Sequence, residues 1–553
     1  MKEEIKERIV KEIGKSIPDI ESIKDKIKVE IPKEEKFGDL SINAAFLLTK
    51  HLRKKPLEIA YQIKEILEKL PEFQKVEVAG AGFINLFLST DYYEQIIKQI
   101  LVEKDSYGAA KDKNKGRINV EFVSANPTGP LHLGHGRGAV VGNVQSNLYE
   151  YLGYNVEREF YINDAGRQIQ KLGESVYARF RQIEQPDYPF PEDGYHGEYI
   201  KEIAQHLYKY EREKILSMVD EKQAIDFCGE FAKELLLERI KNDLKEFGVE
   251  FDIWFSEKKL YTSGEVEEAL QFLKNKGMIY EKDGAVWVKT TLYGDDKDRV
   301  IIKSDGSYTY FAGDIAYHYD KFKRGYDFIV NVWGADHHGY FPRLKAAVMA
   351  FGVPENWINV MFIQLVKLFK EGKEIKMSKR SGSFITLKEL IEEVGKDAVI
   401  YFFLTKDSDT HLNFDIDLAV KKSSENPVYY VQYAHARICS VFREAKERFG
   451  FDPEEDFEAD ISLLKEETER ALMKFLAFIP DLIREAGERK QPHKLTQITY
   501  QLASEFHYYY NNFKFLNPDD ENLMRSRLLL LKAIRETLRT LFKLMGITPL
   551  ERM

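Results

Sequence analysis

The sequence predicts an α/β protein, a doubly wound parallel sheet set between a small N-terminal α+β module and a C-terminal α-helical bundle. Three observations carry this. First, "RINVEFVSAN", a glycine-rich turn, the helical "GAVVGNVQSNLYEYLG" and "NVEREFYIND" follow one another from residue 117, the opening of a right-handed βαβ unit. Second, strands and helices keep alternating to about residue 420. Third, strand signals then vanish and only helical spacing remains.

Taken in order, residues 1–68 have helical spacing, clearest in "SINAAFLLTKHLRKKPLEIAYQIKEILEKL". "KVEVAGAGFINLFLS" changes to β alternation, with a turn at Gly80 and Gly82. The polar run "KDSYGAAKDKNKGR" marks a boundary, so the first domain is expected over 1–112. The second spans 113–420 and opens on the βαβ unit. Residues of about 165–280 are charged and mostly helical and read as an insertion between two halves of one sheet. "GAVWVKTT", "RVIIKSDGSYTYF", "DFIVNVWGADH" and "VMFIQLVKLF" are expected strands, giving an open sheet whose strand ends face a crevice. Residues 421–553 hold four helical segments, a bundle.

At 553 residues the chain exceeds what one core serves, and 44% hydrophobic with 31% charged residues is the balance of a soluble folded protein. No 18-residue apolar run and no secretory signal are seen; the first residues read as an amphipathic helix. The two cysteines, Cys228 and Cys439, cannot form a thiolate zinc site. A net charge of −9 argues against indiscriminate nucleic-acid binding but leaves room for a basic patch. Residues 521–553 carry seven Lys/Arg against three Glu, which on charge alone is equally a solvated helix face.

Two motifs carry chemistry. In "ANPTGPLHLGHGRGAVVGN" His132 and His135 stand three apart at the strand-to-helix turn. Paired zinc histidines favour i,i+4 spacing with a carboxylate partner, whereas a helix start offers unpaired N–H groups and partial positive charge, a seat for phosphate. Gly134 and Gly136 would let a flat base or ribose lie on bare backbone. Taken alone, the turn admits phosphate-binding, structural and metal readings. In "EIKMSKRSGSFITL" Lys376 and Lys379 flank Met377 and Ser378, and their ammonium groups could stabilise charge developing on a phosphate. Alone, this is equally a basic surface loop.

Together, in this order and with this α/β pattern between them, the motifs resemble the signatures of class I aminoacyl-tRNA synthetases, whose catalytic domain is a Rossmann-like doubly wound parallel sheet. "VEFVSANPTGPLHLGH", "FYINDAGRQI", "SYTYFAGDIAYHYDKF", "VNVWGADHHGY" and "NPVYYVQYAHAR", with "EKFGDLSINAAFLL" near the start and "GITPLERM" at the end, closely resemble arginyl-tRNA synthetases, the bacterial branch in particular. This similarity spans essentially the whole chain.

The resemblance implies ATP-dependent ligation of L-arginine to tRNA(Arg) through an arginyl-adenylate, with Mg²⁺ accompanying ATP and no structural zinc. His132, His135, Lys376 and Lys379 would be catalytic; together with Gly134, Gly136, Met377 and Ser378 they would hold ATP. Glu121, Ser124, Asn126, His135 and His338 would hold the amino acid, with Tyr310 and Asp314 at its guanidinium. A planar cation that is always charged needs a carboxylate, and i,i+4 spacing places these last two on one helix face. Read alone, the pair is also an ordinary helix start with a packed aromatic. For tRNA the resemblance points to Phe83 and Asn85 in the first domain and to Tyr429, Tyr433, Tyr509, Arg552 and Met553 in the bundle, where unpaired bases stack on aromatics. It further implies a cytoplasmic monomer, no DNA or membrane partner, and activation of arginine only with tRNA bound. One departure is Arg380-Ser381 where the usual final serine of the lysine motif stands, which leaves the role of Arg380 open. A class I synthetase for another amino acid, or a non-catalytic tRNA-binding paralogue, are the alternatives.

Overall fold

The computed structural model describes residues 1–375 and 385–553. In the N-terminal module, helices Lys2–Gly14, Ala44–Leu52 and Pro56–Leu67 accompany a four-stranded antiparallel sheet, ordered Val29–Glu30, Leu40–Ile42, Phe83–Leu88, Phe73–Ala79. The first two strands fall in a stretch read as helical. With two and three residues they are too short to display alternation.

The central sheet has five parallel strands: β1 (Arg117–Glu121), β2 (Asn155–Ile162), β3 (Ile253–Ser256), β4 (Phe328–Gly334) and β5 (Ile358–Ile363). Their order is β5-β4-β1-β2-β3. The chain therefore winds outward from β1 in one direction and then returns to wind outward in the other. The crevice between the carboxyl ends of β1 and β4 is the topological switch point, where ligands of such sheets bind.

Helix α1 (Leu133–Tyr151) crosses from β1 to β2 and is buried on nearly every face. It can lie that close because a Cβ on Gly142 would sit 2.3 Å from the Phe122 ring. Beyond β2, α2 (Arg167–Gln182), α3 (Glu198–Tyr210) and α4 (Glu221–Glu246) enclose their own small core around Leu172, Val176, Ile203 and Leu236. The expected insertion of about 165–280 needs correction at one place: β3 lies within it and is the edge strand of the central sheet. Its four residues are too few to show a period against flanking charge.

Two strand expectations also change. "RVIIKSDGSYTYF" is not one strand: Arg299–Ile302 joins Ala285–Val288 and Ile279–Lys282 in a separate antiparallel sheet. Helix α5 (Tyr310–Lys323) then starts, with the Thr309 hydroxyl accepting from Ala312 N. "VMFIQLVKLF" is split, because β5 ends at Ile363 and Val366–Lys370 pairs instead with Lys373–Ile375 and Leu412–Asp415.

The bundle is α6 (Pro427–Phe449), α7 (Glu467–Glu488), α8 (Lys494–Asn512) and α9 (Glu521–Met545), matching the four helical segments. One continuous apolar core runs from Ile63 of the first module through Val120 and Leu148 to Leu502 and Leu541 of the bundle. The first module is also pinned to α7, where Tyr107 donates to the Leu476 carbonyl (3.1 Å) and Lys474 pairs with Asp39 (3.1 Å). Both cysteines are buried and unbridged. Among the described residues no helix is long and apolar enough to cross a membrane.

Candidate active site

The turn after β1 begins with strain. Val123 and Ser124 both have positive φ (67° and 40°), and Ser124 N donates to the Phe122 carbonyl across Val123. A left-handed conformation at residues with a Cβ costs about 1–3 kcal/mol each and persists only where the surroundings over-determine it. Here they do. The Ser124 hydroxyl donates to Glu121 Oε1 (2.9 Å) and accepts from Tyr161 N (3.2 Å) on β2. Glu121 is itself buried, its Oε2 accepting from the wholly buried Lys321 of α5 (3.0 Å). Glu121 thus braces the turn from behind, whereas Asn126 is exposed and lines the cleft beyond it.

At the start of α1, His132 is the N-cap. Its Nδ1 accepts from Gly134 N (3.1 Å), while the Nδ1 of His135 accepts from His132 N (3.3 Å). An N–H can only donate, so both rings carry their proton on Nε2, and each Nε2 is a hydrogen-bond donor. The rings stack at 3.6 Å between centroids. Gly134 lines the cleft beside them, but Gly136 does not meet a nucleotide as expected. It is buried, and the space a side chain would take is filled by Leu387 (2.6 Å) and Phe403 (3.1 Å).

His132 and His135, with Asn126, stand where two clefts meet. One, of about 890 Å³, runs along Val332, Trp333 and Gly334 at the end of β4 and past residues 363–366. The other, of about 770 Å³, opens toward residues 192–199 before and within α3. Lys376, Met377, Ser378 and Lys379 of the second motif, and Arg380, lie outside the described residues. Their flanks are placed: Lys373–Ile375 pairs with Val366–Lys370, and Thr386 forms a backbone bridge with His132 while Leu387 N donates to the Leu131 carbonyl (2.9 Å). The chain leaving the lysine motif is stitched directly to the histidine turn.

The carboxylate end lies on α5. Burial, then the charge of Glu121, push the Asp314 carboxyl up to about 6, against a hydrogen bond donated by Tyr340. Glu257, the first residue after β3, is pushed up to about 7 by burial and by the charges of Asp314 and Asp164. Two carboxyls raised by burial and by neighbouring carboxylates make a seat for a cation. Tyr310 stands 87% exposed one turn before Asp314 and does not cover it. Below, His318 Nδ1 donates to the Asp314 carbonyl (2.7 Å) and its Nε2 accepts from Asn331 (2.9 Å). Burial holds this imidazole neutral, its value down to about 3.

His338 is not beside Asp314. It lies flat on Phe362 (3.6 Å) and pairs with Asp409 (3.0 Å), because the chain turns outward after β4; Tyr340, in the same quoted segment, is the residue that reaches the carboxylate. Sequence reasoning also missed Glu257, Lys321 and Arg137. Arg137 is fully buried in α1, donating to the carbonyls of Gln364 (2.9 Å), Thr410 (2.7 Å) and Asp407 (2.8 Å). Its only signal was a cation in a glycine-rich helix. Among the described residues no group of three or more His, Cys, Asp or Glu is arranged to hold a metal.

Of the nucleic-acid candidates, Phe83 is exposed, edge-on to Phe46 (4.9 Å). Asn85 is not: it is 3% exposed, mid-strand between Ser41 and Glu77. On α6, Tyr429 and Tyr433 are half-buried and stacked (5.8 Å), and Arg437 lies between Tyr433 and Tyr510, 4.5 Å from each ring. The exposed Arg552 and Met553 end a tail that runs beside this helix, where His435 bonds the Leu550 carbonyl (2.8 Å). Tyr509 is core rather than surface: fully buried, it donates to Glu469 (2.8 Å), which Arg527 also holds. Its neighbour Tyr508 is the exposed one.

Comparison with known proteins finds three family matches along the chain. Residues 3–88 match the arginyl tRNA synthetase N-terminal domain, residues 96–438 the class I (R) tRNA synthetase catalytic domain, and residues 431–553 the DALR anticodon binding domain. The chain is 48% identical to an arginine–tRNA ligase of Aquifex aeolicus over all of both chains. It is 46% identical to one of Bacillus licheniformis over 100% of this chain and 99% of that one. The arginyl-tRNA synthetase of Thermus thermophilus shares the fold, with a TM-score of 0.75 at 22% identity over all of both chains.

Proposed function

The chain belongs to the arginyl-tRNA synthetase family, and from that premise we propose how its residues divide the work of joining arginine to tRNA. It is an arginine–tRNA ligase that draws on ATP. The carboxylate of arginine attacks the α-phosphorus, pyrophosphate leaves, and the terminal ribose hydroxyl of tRNA(Arg) then takes the arginyl group from the adenylate, releasing AMP. Mg²⁺ enters on the ATP phosphates.

Asp314 and Glu257 receive the guanidinium, and Tyr310 stands exposed one helical turn before Asp314. Ser124 and Asn126 receive the amino and carboxyl end. ATP occupies the cleft along β4, its phosphates on the N-terminus of α1 and the two Nε2–H groups, and Lys376 and Lys379 add charge at the phosphorus under attack. The tRNA end approaches through the second cleft, Phe83 meets the tRNA body, and Tyr429, Tyr433, Arg552 and Met553 meet splayed bases. The enzyme works as a cytoplasmic monomer on this reading. The observation that carries the reading is the bridge from Thr386, which follows the lysine motif in sequence, to His132 at the start of α1.

ATP–pyrophosphate exchange with each amino acid, with and without tRNA, tests it. Exchange is expected with arginine plus tRNA. Exchange with another amino acid instead, or none with arginine plus tRNA, overturns it. Lys379→Ala is expected to slow adenylate formation far more than it weakens tRNA binding.

A further inference from the structure

Lys321 has no part in the roles above, yet it is the most deeply buried ammonium of the crevice. Its side chain is wholly inaccessible, and its surroundings satisfy it: Glu121 Oε2 at 3.0 Å, Asn331 Oδ1 at 3.2 Å, and the Tyr317 ring centroid at 4.4 Å. Tyr317 is fixed in turn by donating to Glu159 (2.5 Å). Lys321 stands two helical turns beyond Asp314 on α5, about 10 Å along the axis at the usual rise. One rigid helix therefore carries, at one end, the carboxylate for the guanidinium and, at the other, the cation that holds Glu121. Glu121 holds the Ser124 hydroxyl, and with it the strained turn that receives the other end of the amino acid.

We infer that Lys321 is a positioning residue that sets the span between the two ends of the amino-acid site, so that side-chain length is selected by α5. The inference rests on the proposed arginine site. A substrate with one methylene fewer or more can satisfy Asp314 or the Ser124 turn, but not both, while Lys321 keeps Glu121 in place. Without its ammonium, Glu121 loses its buried counter-charge and the turn is released. Recognition of the guanidinium itself, which belongs to Asp314 and Glu257, persists.

The test is Lys321→Met, which keeps the apolar stem, and the double variant Lys321→Met/Glu121→Gln, which leaves no buried charge unpaired. Pyrophosphate exchange with tRNA present is measured for arginine, homoarginine and 2-amino-4-guanidinobutanoate, alongside thermal melting. In whichever variant folds, the preference in kcat/KM for arginine over both homologues is expected to fall by more than about tenfold, the scale of one methylene in a fitted pocket. The fall is expected through a rise in KM for arginine that exceeds the rise in KM for either homologue. A fall of less than that in a variant that melts like the parent overturns the inference, because a merely structural lysine would move stability and not length preference. Asp314→Asn in the same assay separates the two readings. If its KM for arginine is unchanged, the arginine site itself is misplaced; if it rises while the Lys321 variants keep their length preference, only the role of Lys321 fails.

Discussion

The two ends of the crevice, proposed above for nucleotide and for arginine, are built from different materials. At the nucleotide end there is little formal charge among the described residues: a helix start, backbone N–H groups and two imidazoles turned into donors by their own backbone. At the arginine end there are carboxyls, a buried ammonium and a buried imidazole, tied into one network. The contrast follows from the ligands. ATP brings its own counter-ion and needs directed dipoles where charge moves. A guanidinium brings only positive charge, and a site that takes it out of water must hold the opposite charge ready.

The strongest way to break this contrast is Asp314→Asn. Removing one partner of a buried charge pair costs about 3–5 kcal/mol, so KM for arginine is expected to rise roughly 150- to 5,000-fold while ATP binding, followed by equilibrium dialysis, is unchanged. Loss of both affinities together would mean that the ends are not separate. His135→Asn should show the opposite signature. The kcat of exchange is expected to fall about 100-fold with KM for arginine little changed, as when one aimed donor is removed from a transition state. Gly136→Ala probes the packing behind that turn. The added methyl meets Leu387, and about 1–3 kcal/mol of overpacking is expected as a lower melting temperature, with slower exchange and intact arginine binding.

The gentlest probe is pH. Asp314 and Glu257 bind protons more tightly in the folded chain than when unfolded, so the pair opposes folding increasingly as pH rises from the unfolded carboxyl value through about 6 and 7. Substrate-free melting temperature, compared with Asp314→Asn/Glu257→Gln, is expected to drift downward across that window. KM for arginine is expected to rise severalfold from about pH 8 to about pH 6, since protonated carboxyls do not attract a cation. A flat KM would show that the pair binds no charge.

How far the sequence foretold this differs between the same two ends. At the nucleotide end the turn and the helix after it were legible because they lie within one short stretch, whereas the burial of Gly136 under Leu387 and Phe403 was not, since those residues come from far along the chain. The arginine end was half legible. Asp314 came from the family resemblance, with helical spacing consistent with it, but Glu257 follows directly on β3, a strand too short to announce itself, and its partners arrive from other strands. Lys321 read as one more charge on a helix, because nothing local says that its face is buried. Tyr509 and Asn85 failed for the converse reason: residue type suggested a surface, and burial is decided by what packs from elsewhere in the chain. At the bundle, four helices were readable from their periods, whereas which tyrosine of 508 and 509 faces outward depends on the contact of α8 with α7.

Arg137 gives the specificity problem a second form. This enzyme must recognise a guanidinium, and it already encloses one, ringed by carbonyls and pushed down to about 10 by burial. Carbonyls suffice there, with the charges of Asp407 and Asp409 in reach, because the backbone delivers the side chain: its effective concentration is that of a tethered group. Free arginine has no such tether, and must be drawn from dilute solution by formal charge. The protein thus encloses one guanidinium that is permanently in place and, on the proposed reading, admits a second that leaves once in every turnover.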